Sequence, residues 1–196
     1  MIVRHEARLT SRVRFLLRRV APLPLVAIAL FGPGCAAPTG GDDAEGTVGS
    51  DLASANEKTA LDFFVGKGVT ELQAAAIVGN LQQESNVSPT SVQPGGPGRG
   101  IAQWSTGARW NVTRSDNVAR YANKLGASAH SLDLQPAFIW YELETFSQYG
   151  LSSLRAATPL SEATYAFQKD FEACGACNES HRIAYAKAVL TAYGGQ

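Results

Sequence analysis

Between residues 54 and 196 the chain is cut into short apolar-periodic segments, each opened by a capping signal or a proline and stopped by glycine. Ser54-Ala-Asn-Glu57 is a capping-box pattern followed by Leu61, Phe64 and Val65 at helical spacing, with Gly66 and Gly68 as the stop. Thr70-Glu-Leu-Gln73 repeats the signal, and Ala74, Ile77, Val78 and Leu81 form one apolar stripe behind it. Residues 115–125 are a weaker helix carrying Val118, Tyr121, Ala122 and Leu125 before Gly126. Asp133 with Pro136 opens a helix with Phe138, Ile139, Leu143 and Phe146 inward, ending at Gly150. Thr158-Pro159 starts the next, with Leu160, Ala163, Thr164, Phe167 and Phe171 on one face. A last helix from Asn178 uses Ile183, Ala186 and Leu190 and ends at Gly194-Gly195. Only Pro89 to Trp104 is irregular, with room for a small β-hairpin around Gly100-Ile-Ala-Gln-Trp104. The expected fold class is mainly α, as one domain over residues 54–196 that buries roughly 68–70% of its unfolded surface.

The segment before that domain reads as an address. Arg4, Arg8, Arg12, Arg14, Arg18 and Arg19 precede the apolar run Val20-Ala-Pro-Leu-Pro-Leu-Val-Ala-Ile-Ala-Leu-Phe31, and Gly32-Pro33-Gly34-Cys35 follows. That is the order of a secretory signal over residues 1–35, and the run falls short of the roughly 20 apolar residues that span a bilayer. The placing of Cys35 resembles the lipobox of bacterial lipoproteins, although Gly32 stands where a Leu-like residue is usual. Cys35 is therefore the lipidation candidate, with plain secretion as the alternative. Residues 36–53 hold too little apolar surface to offset their ordering entropy, and read as a flexible linker.

Charge narrows the partners. The 17 basic and 17 acidic residues cancel, but taking out the six signal arginines and the one acid, Glu6, leaves 11 against 16, a net charge of −5. A domain that acidic has no general electrostatic hold on nucleic acid or on an anionic membrane surface. Membrane contact is expected only through a lipid on Cys35.

Glu84 stands out among the carboxylates. It continues the apolar stripe of the second helix at its carboxyl end, just before the glycine-rich segment that should leave a groove. A glutamate there loses water and meets the negative end of the helix dipole, and both effects favour the protonated form and suit it to proton donation.

The run Ile77-Val-Gly-Asn-Leu-Gln-Gln-Glu-Ser85, then Pro89, Ser91-Val92 and Gly100-Ile-Ala-Gln-Trp104, resembles the phage tail lysozyme domain, and more distantly the soluble lytic transglycosylases. Phe138-Ile-Trp-Tyr-Glu-Leu-Glu144 and a late Phe171-Glu172 extend the similarity over residues 57–193. The resemblance implies a lysozyme-like helical domain that cleaves the β-1,4 bond between N-acetylmuramic acid and N-acetylglucosamine in peptidoglycan. Glu84 would be the general acid and then the base, acting on water or on the muramic 6-hydroxyl. Gln103 would hydrogen-bond an N-acetyl group or sugar hydroxyl, and Trp104 would stack on a sugar face. Ser85, as a helix-end hydrogen bonder rather than a nucleophile, and Tyr141 complete the expected substrate contacts. Asp116, Glu142 and Glu144 are candidates for a second carboxylate. Neither cofactor nor metal is implied, and the expected species is a monomer on glycan strands, exported to the cell envelope or secreted. The alternative is a non-catalytic module of the same fold that binds peptidoglycan or another amino-sugar polymer.

Cys174-Gly-Ala-Cys177 with His181 admits a zinc site, a redox pair or a disulfide. A fourth zinc ligand is missing nearby and no βαβ pattern surrounds the motif, so a local disulfide in an exported protein is the preferred reading. Its small ring places the stabilisation at the low end of the roughly 0–5 kcal/mol range.

Overall fold

The computed structural model describes residues 43–112, 116–175 and 177–195, with side chains from residue 55 onward. The expected signal segment, Cys35 and the first part of the expected linker lie outside the described residues. Helix α1 is Asp43–Gly66. It begins well before Ser54, because extending a helix that already exists costs far less than nucleating one.

Helix α2, Glu71–Ser85, starts at the predicted capping box: the Gln73 amide donates to Thr70 Oγ1 at 3.2 Å and the Thr70 amide to Gln73 Oε1 at 3.1 Å. It is not a one-sided helix. Every residue from Gln73 to Leu81 is buried, because α1, α6 (Leu160–Phe167) and α7 (Glu179–Tyr193) all pack on it. At Gly79 a Cβ would lie 2.5 Å from the Ala186 backbone nitrogen, so the missing side chain is what allows α7 to cross this closely. After Ser85 the chain turns sharply through left-handed Asn86 and Val87, at φ 54° and 51°. Asn tolerates that region; a buried β-branched Val is held there only by its surroundings.

The irregular segment contains the expected hairpin, with strands β1 (Gly98–Arg99) and β2 (Trp104–Ser105) antiparallel and Gly100 to Gln103 as the turn. Gln135, fully buried in α4 (Leu134–Thr145), pins this turn by accepting from the Ile101 amide at 2.9 Å and donating to the carbonyls of Pro89 and Ala129. Gly100, at φ 68°, is needed because a Cβ would lie 2.7 Å from Gln135 Oε1.

Helix α3 is Val118–Leu125, capped by Asn117, which accepts from the Arg120 amide at 2.9 Å. Helix α4 stops at Thr145 rather than at Gly150, because Phe146 is extended; a 3-10 turn, Ser147–Tyr149, and a short α5, Leu151–Ala156, follow. The face Leu160, Ala163, Thr164, Phe167 and Phe171 is buried as the spacing predicts. Beyond Phe167 the helix widens into a π turn, Gln168–Glu172, in which Phe171 stacks on Phe167 at 4.6 Å. In α7 the buried positions are Arg182, Ala186 and Val189, one residue out of phase with the expected Ile183 and Leu190.

Candidate active site

Glu84 sits in the last turn of α2 and borders a cavity of about 210 Å³ with Gln103, Trp104, Arg109, Glu172 and Cys174. Its side chain is 21% exposed, neither sealed nor open to bulk water. Instead of purely apolar surroundings it has an ionic partner, because Arg182 forms a salt bridge to its Oε1. That guanidinium is 3% exposed. It also donates from Nη1 to Asn80 Oδ1 at 3.0 Å and from Nε to the Cys177 carbonyl at 2.6 Å. Asn80 in turn donates to the Ala76 and Thr164 carbonyls. A chain of polar contacts therefore runs from α6 through α2 to α7 and ends on Glu84. The close crossing at Gly79 and Ala186 makes it geometrically available, since Arg182 lies one turn before Ala186.

A second ion pair involves Arg109, which also lines the cavity. Arg109 grips Glu142 through two 2.8 Å bonds, Nε to Oε1 and Nη2 to Oε2, and its Nη1 donates to the Phe171 carbonyl at 3.1 Å. Its guanidinium lies over Tyr149 and Phe171, 4.6 and 4.3 Å from the ring centroids. Trp104 Nε1 donates to Glu142 Oε2 at 3.2 Å. Glu142, 2% exposed, is thus a buried clamp and not a free second carboxylate.

The other expected site residues separate. Gln103 borders the cavity, but its Nε2 is spent on the Ser91 hydroxyl at 3.1 Å and the Gly100 carbonyl at 2.9 Å, so the amide nitrogen pins the loop. Trp104 does not offer a face for sugar stacking. It is 2% exposed and packs against Trp110 and Phe138, because an indole tied to Glu142 is drawn into the core. Ser85 donates to the Ile101 carbonyl at 2.9 Å and so ties the end of α2 to the hairpin turn. Tyr141 lies outside this cavity, donating to Asp116 Oδ2 at 2.6 Å in a separate depression with Arg120, Tyr121 and Lys124. Asp116 and Glu144 likewise lie outside the lining of the cavity.

Glu172 is the carboxylate that spacing did not reveal. In an α-helix the residue after buried Phe171 would leave that face; the extra residue of the π turn alters the phase, and Glu172 faces the cavity. Left-handed Ala173, whose amide donates to the Gln168 carbonyl at 3.0 Å, closes the turn. Glu172 Oε1 is shielded from solvent and has no hydrogen-bond partner among the described residues. Burial, followed by the charge of Glu84, pushes its carboxyl up to about 8, with Arg109 and Arg182 acting in the opposite sense.

Cys174 and Cys177 are joined by a disulfide, S–S 2.10 Å, just beyond Glu172. Among the described residues no group of three or more His, Cys, Asp or Glu side chains stands together to hold a metal ion. The bridge and the Arg182 bond to the Cys177 carbonyl fix the connection between the π turn and α7, and with it the rim beside Glu84.

Compared with known families, residues 55–193 match the sequence model of the phage tail lysozymes, a span that includes Glu84, the hairpin and Glu172. No curated protein matches the chain.

Proposed function

Because the chain belongs to the phage tail lysozyme family, whose members suggest a lysozyme-like, peptidoglycan-lytic role, we propose that it cleaves the β-1,4 bond between N-acetylmuramic acid and N-acetylglucosamine with Glu84 as general acid and base. The observation that carries this reading is the position of Glu84: a partly exposed carboxyl at the end of a buried helix, bordering a cavity beside the hairpin and gripped by a guanidinium buried in another helix. Glu84 gives a proton to the leaving O4 as the C1–O4 bond breaks and C1 takes on oxocarbenium character. It then accepts the proton of the nucleophile as the new bond to C1 forms. With water the product is a hydrolysed end; with the muramic 6-hydroxyl it is a 1,6-anhydro end, lighter by one water. The enzyme acts outside the cytoplasm, delivered by the signal segment and either held at the envelope by a lipid on Cys35 or released.

Glu84→Gln tests the assignment. General acid–base catalysis contributes about 10² to 10⁴ in rate, so muropeptide release from purified sacculi should fall by that factor while sacculus pull-down persists. Full turnover by the variant would refute the role of Glu84. Wild-type protein that binds sacculi and releases nothing would favour a binding module of the same fold.

A further inference from the structure

Two carboxyl groups from distant parts of the chain border one cavity, and only one of them is paired. Glu84 is engaged by the Arg182 guanidinium, and protonating a leaving oxygen requires a proton to be delivered to it. Glu172 faces the same cavity as a partly buried residue, with its Oε1 shielded from solvent and without a hydrogen-bond partner among the described residues. The cations beside it are already engaged: Arg109 by Glu142 and the Phe171 carbonyl, Arg182 by Glu84, Asn80 and the Cys177 carbonyl. A buried carboxyl without a bonded counter-ion is stable as the neutral acid.

We propose that Glu172 is the proton store of this cleft, coupled to Glu84, so that the two carboxyl groups carry one proton between them. The proposal rests on Glu84 being the acid of the reaction and adds the source of its proton. Glu172 acts through Glu84 and is a positioning residue for that proton. At the start of a turnover the O–H bond of Glu172 breaks and its proton passes through cleft solvent to Glu84. Glu84 hands it to O4 as C1–O4 breaks. The nucleophile, water or the muramic 6-hydroxyl, gives up its own proton to Glu84 as it bonds to C1, and that proton returns to Glu172. Protons, bonds and charge balance over the cycle.

The groups around Glu172 set the pH at which the store empties. Glu84 comes from α2, Arg109 from the segment after β2, Glu142 from α4 and Arg182 from α7, while Lys169 and Asp170 share its own turn. Burial and the negative charge of Glu84 raise its titration, and the two arginines moderate it, giving about 8. Because the charge of Glu84 is one of the causes, neutralising Glu84 lowers the titration of Glu172.

The test measures muropeptide release by the full chain across pH together with side-chain carboxyl titration by ¹³C NMR. In wild type the rate should hold to about pH 8 and then fall about tenfold per pH unit. Glu172→Gln, isosteric but unable to store a proton, should bring that fall more than about one pH unit toward acid. The NMR reads the pair without catalysis. One glutamate should titrate above neutrality in wild type, vanish in Glu172→Gln, and titrate lower in Glu84→Gln, where the neighbouring charge is gone. An unchanged pH profile in Glu172→Gln, or no glutamate titrating above neutrality, overturns the proposal. If Glu84→Gln is inactive and Glu172→Gln keeps the wild-type profile, the proposed function stands and the pair does not. Should Glu84→Gln turn over fully, the proposed function itself fails.

Discussion

Arg182 of α7 reaches across the helix crossing to Glu84 of α2 while it is 3% exposed and simultaneously bonded to Asn80 and to the Cys177 carbonyl. One guanidinium thereby joins the central helix, the disulfide loop and the candidate acid. Its planar fork is suited to this, because several donors leave one group in fixed directions.

Replacing Arg182 with Met removes the charge and leaves the Asn80 and Cys177 acceptors without that donor. Breaking a buried pair by deleting one partner costs about 3–5 kcal/mol, and Glu84's partial exposure places this case at the lower end. Arg182→Lys keeps the charge but cannot make all of the bonds at once, so it should be intermediate in stability and slower in muropeptide release. Urea unfolding with parallel release assays checks both; a lysine variant equal to wild type in each would contradict the role given to the fork.

Glu142→Gln separates scaffold from substrate contact. The change leaves Arg109 without its countercharge and weakens the bond to Trp104 Nε1, at an expected cost of about 2–4 kcal/mol. Since Trp104 is in the core, the loss should appear in the unfolding midpoint, with sacculus binding by the folded protein little altered. A large fall in binding at unchanged stability would return Trp104 to the sugar surface.

Glu172 also makes stability depend on pH with a definite sign. Its folded-state titration, near 8, lies above the unfolded value of about 4.5. Between those limits the folded chain binds more protons at this site than the unfolded chain. Its contribution is therefore complete below about pH 4.5 and is lost as pH rises through 8, with a slope of at most about 1.4 kcal/mol per pH unit. Glu172→Gln lacks this slope. Melting temperatures of the two proteins should converge toward pH 4.5 and separate toward pH 8, with the variant higher; a difference independent of pH would refute the assignment.

The helices were largely legible because each is a local event. The capping box at Thr70 and the apolar face from Leu160 to Phe171 appear as read. Structure and local periodicity part where neighbours intervene. Helix α2 is covered on all sides from Gln73 to Leu81, α4 ends early at extended Phe146, and α7 turns its arginine inward where periodicity placed Ile183. Arginine on a helix ordinarily reads as solvent-facing, and only the approach at Gly79 gives Arg182 polar partners in the interior. Glu172 was visible as part of a Phe-Glu pair, but no α-helical spacing would aim it at a groove; a π turn does.

Residue order along the chain was enough for the mainly α class, the hairpin and the family resemblance, and to single out Glu84 as a candidate, since caps, periodicity and glycine stops act within a few residues of themselves. The company Glu84 keeps was settled elsewhere: Arg182 is 98 residues away in sequence, and Glu172 reaches the same cavity from another segment. Charges so far apart in the chain meet only when packed helices bring them together, and burial then strengthens their interaction by excluding water. That is why the candidate acid could be read from one helix, while its guanidinium partner and the second carboxyl emerged only from how three helices and a π turn converge.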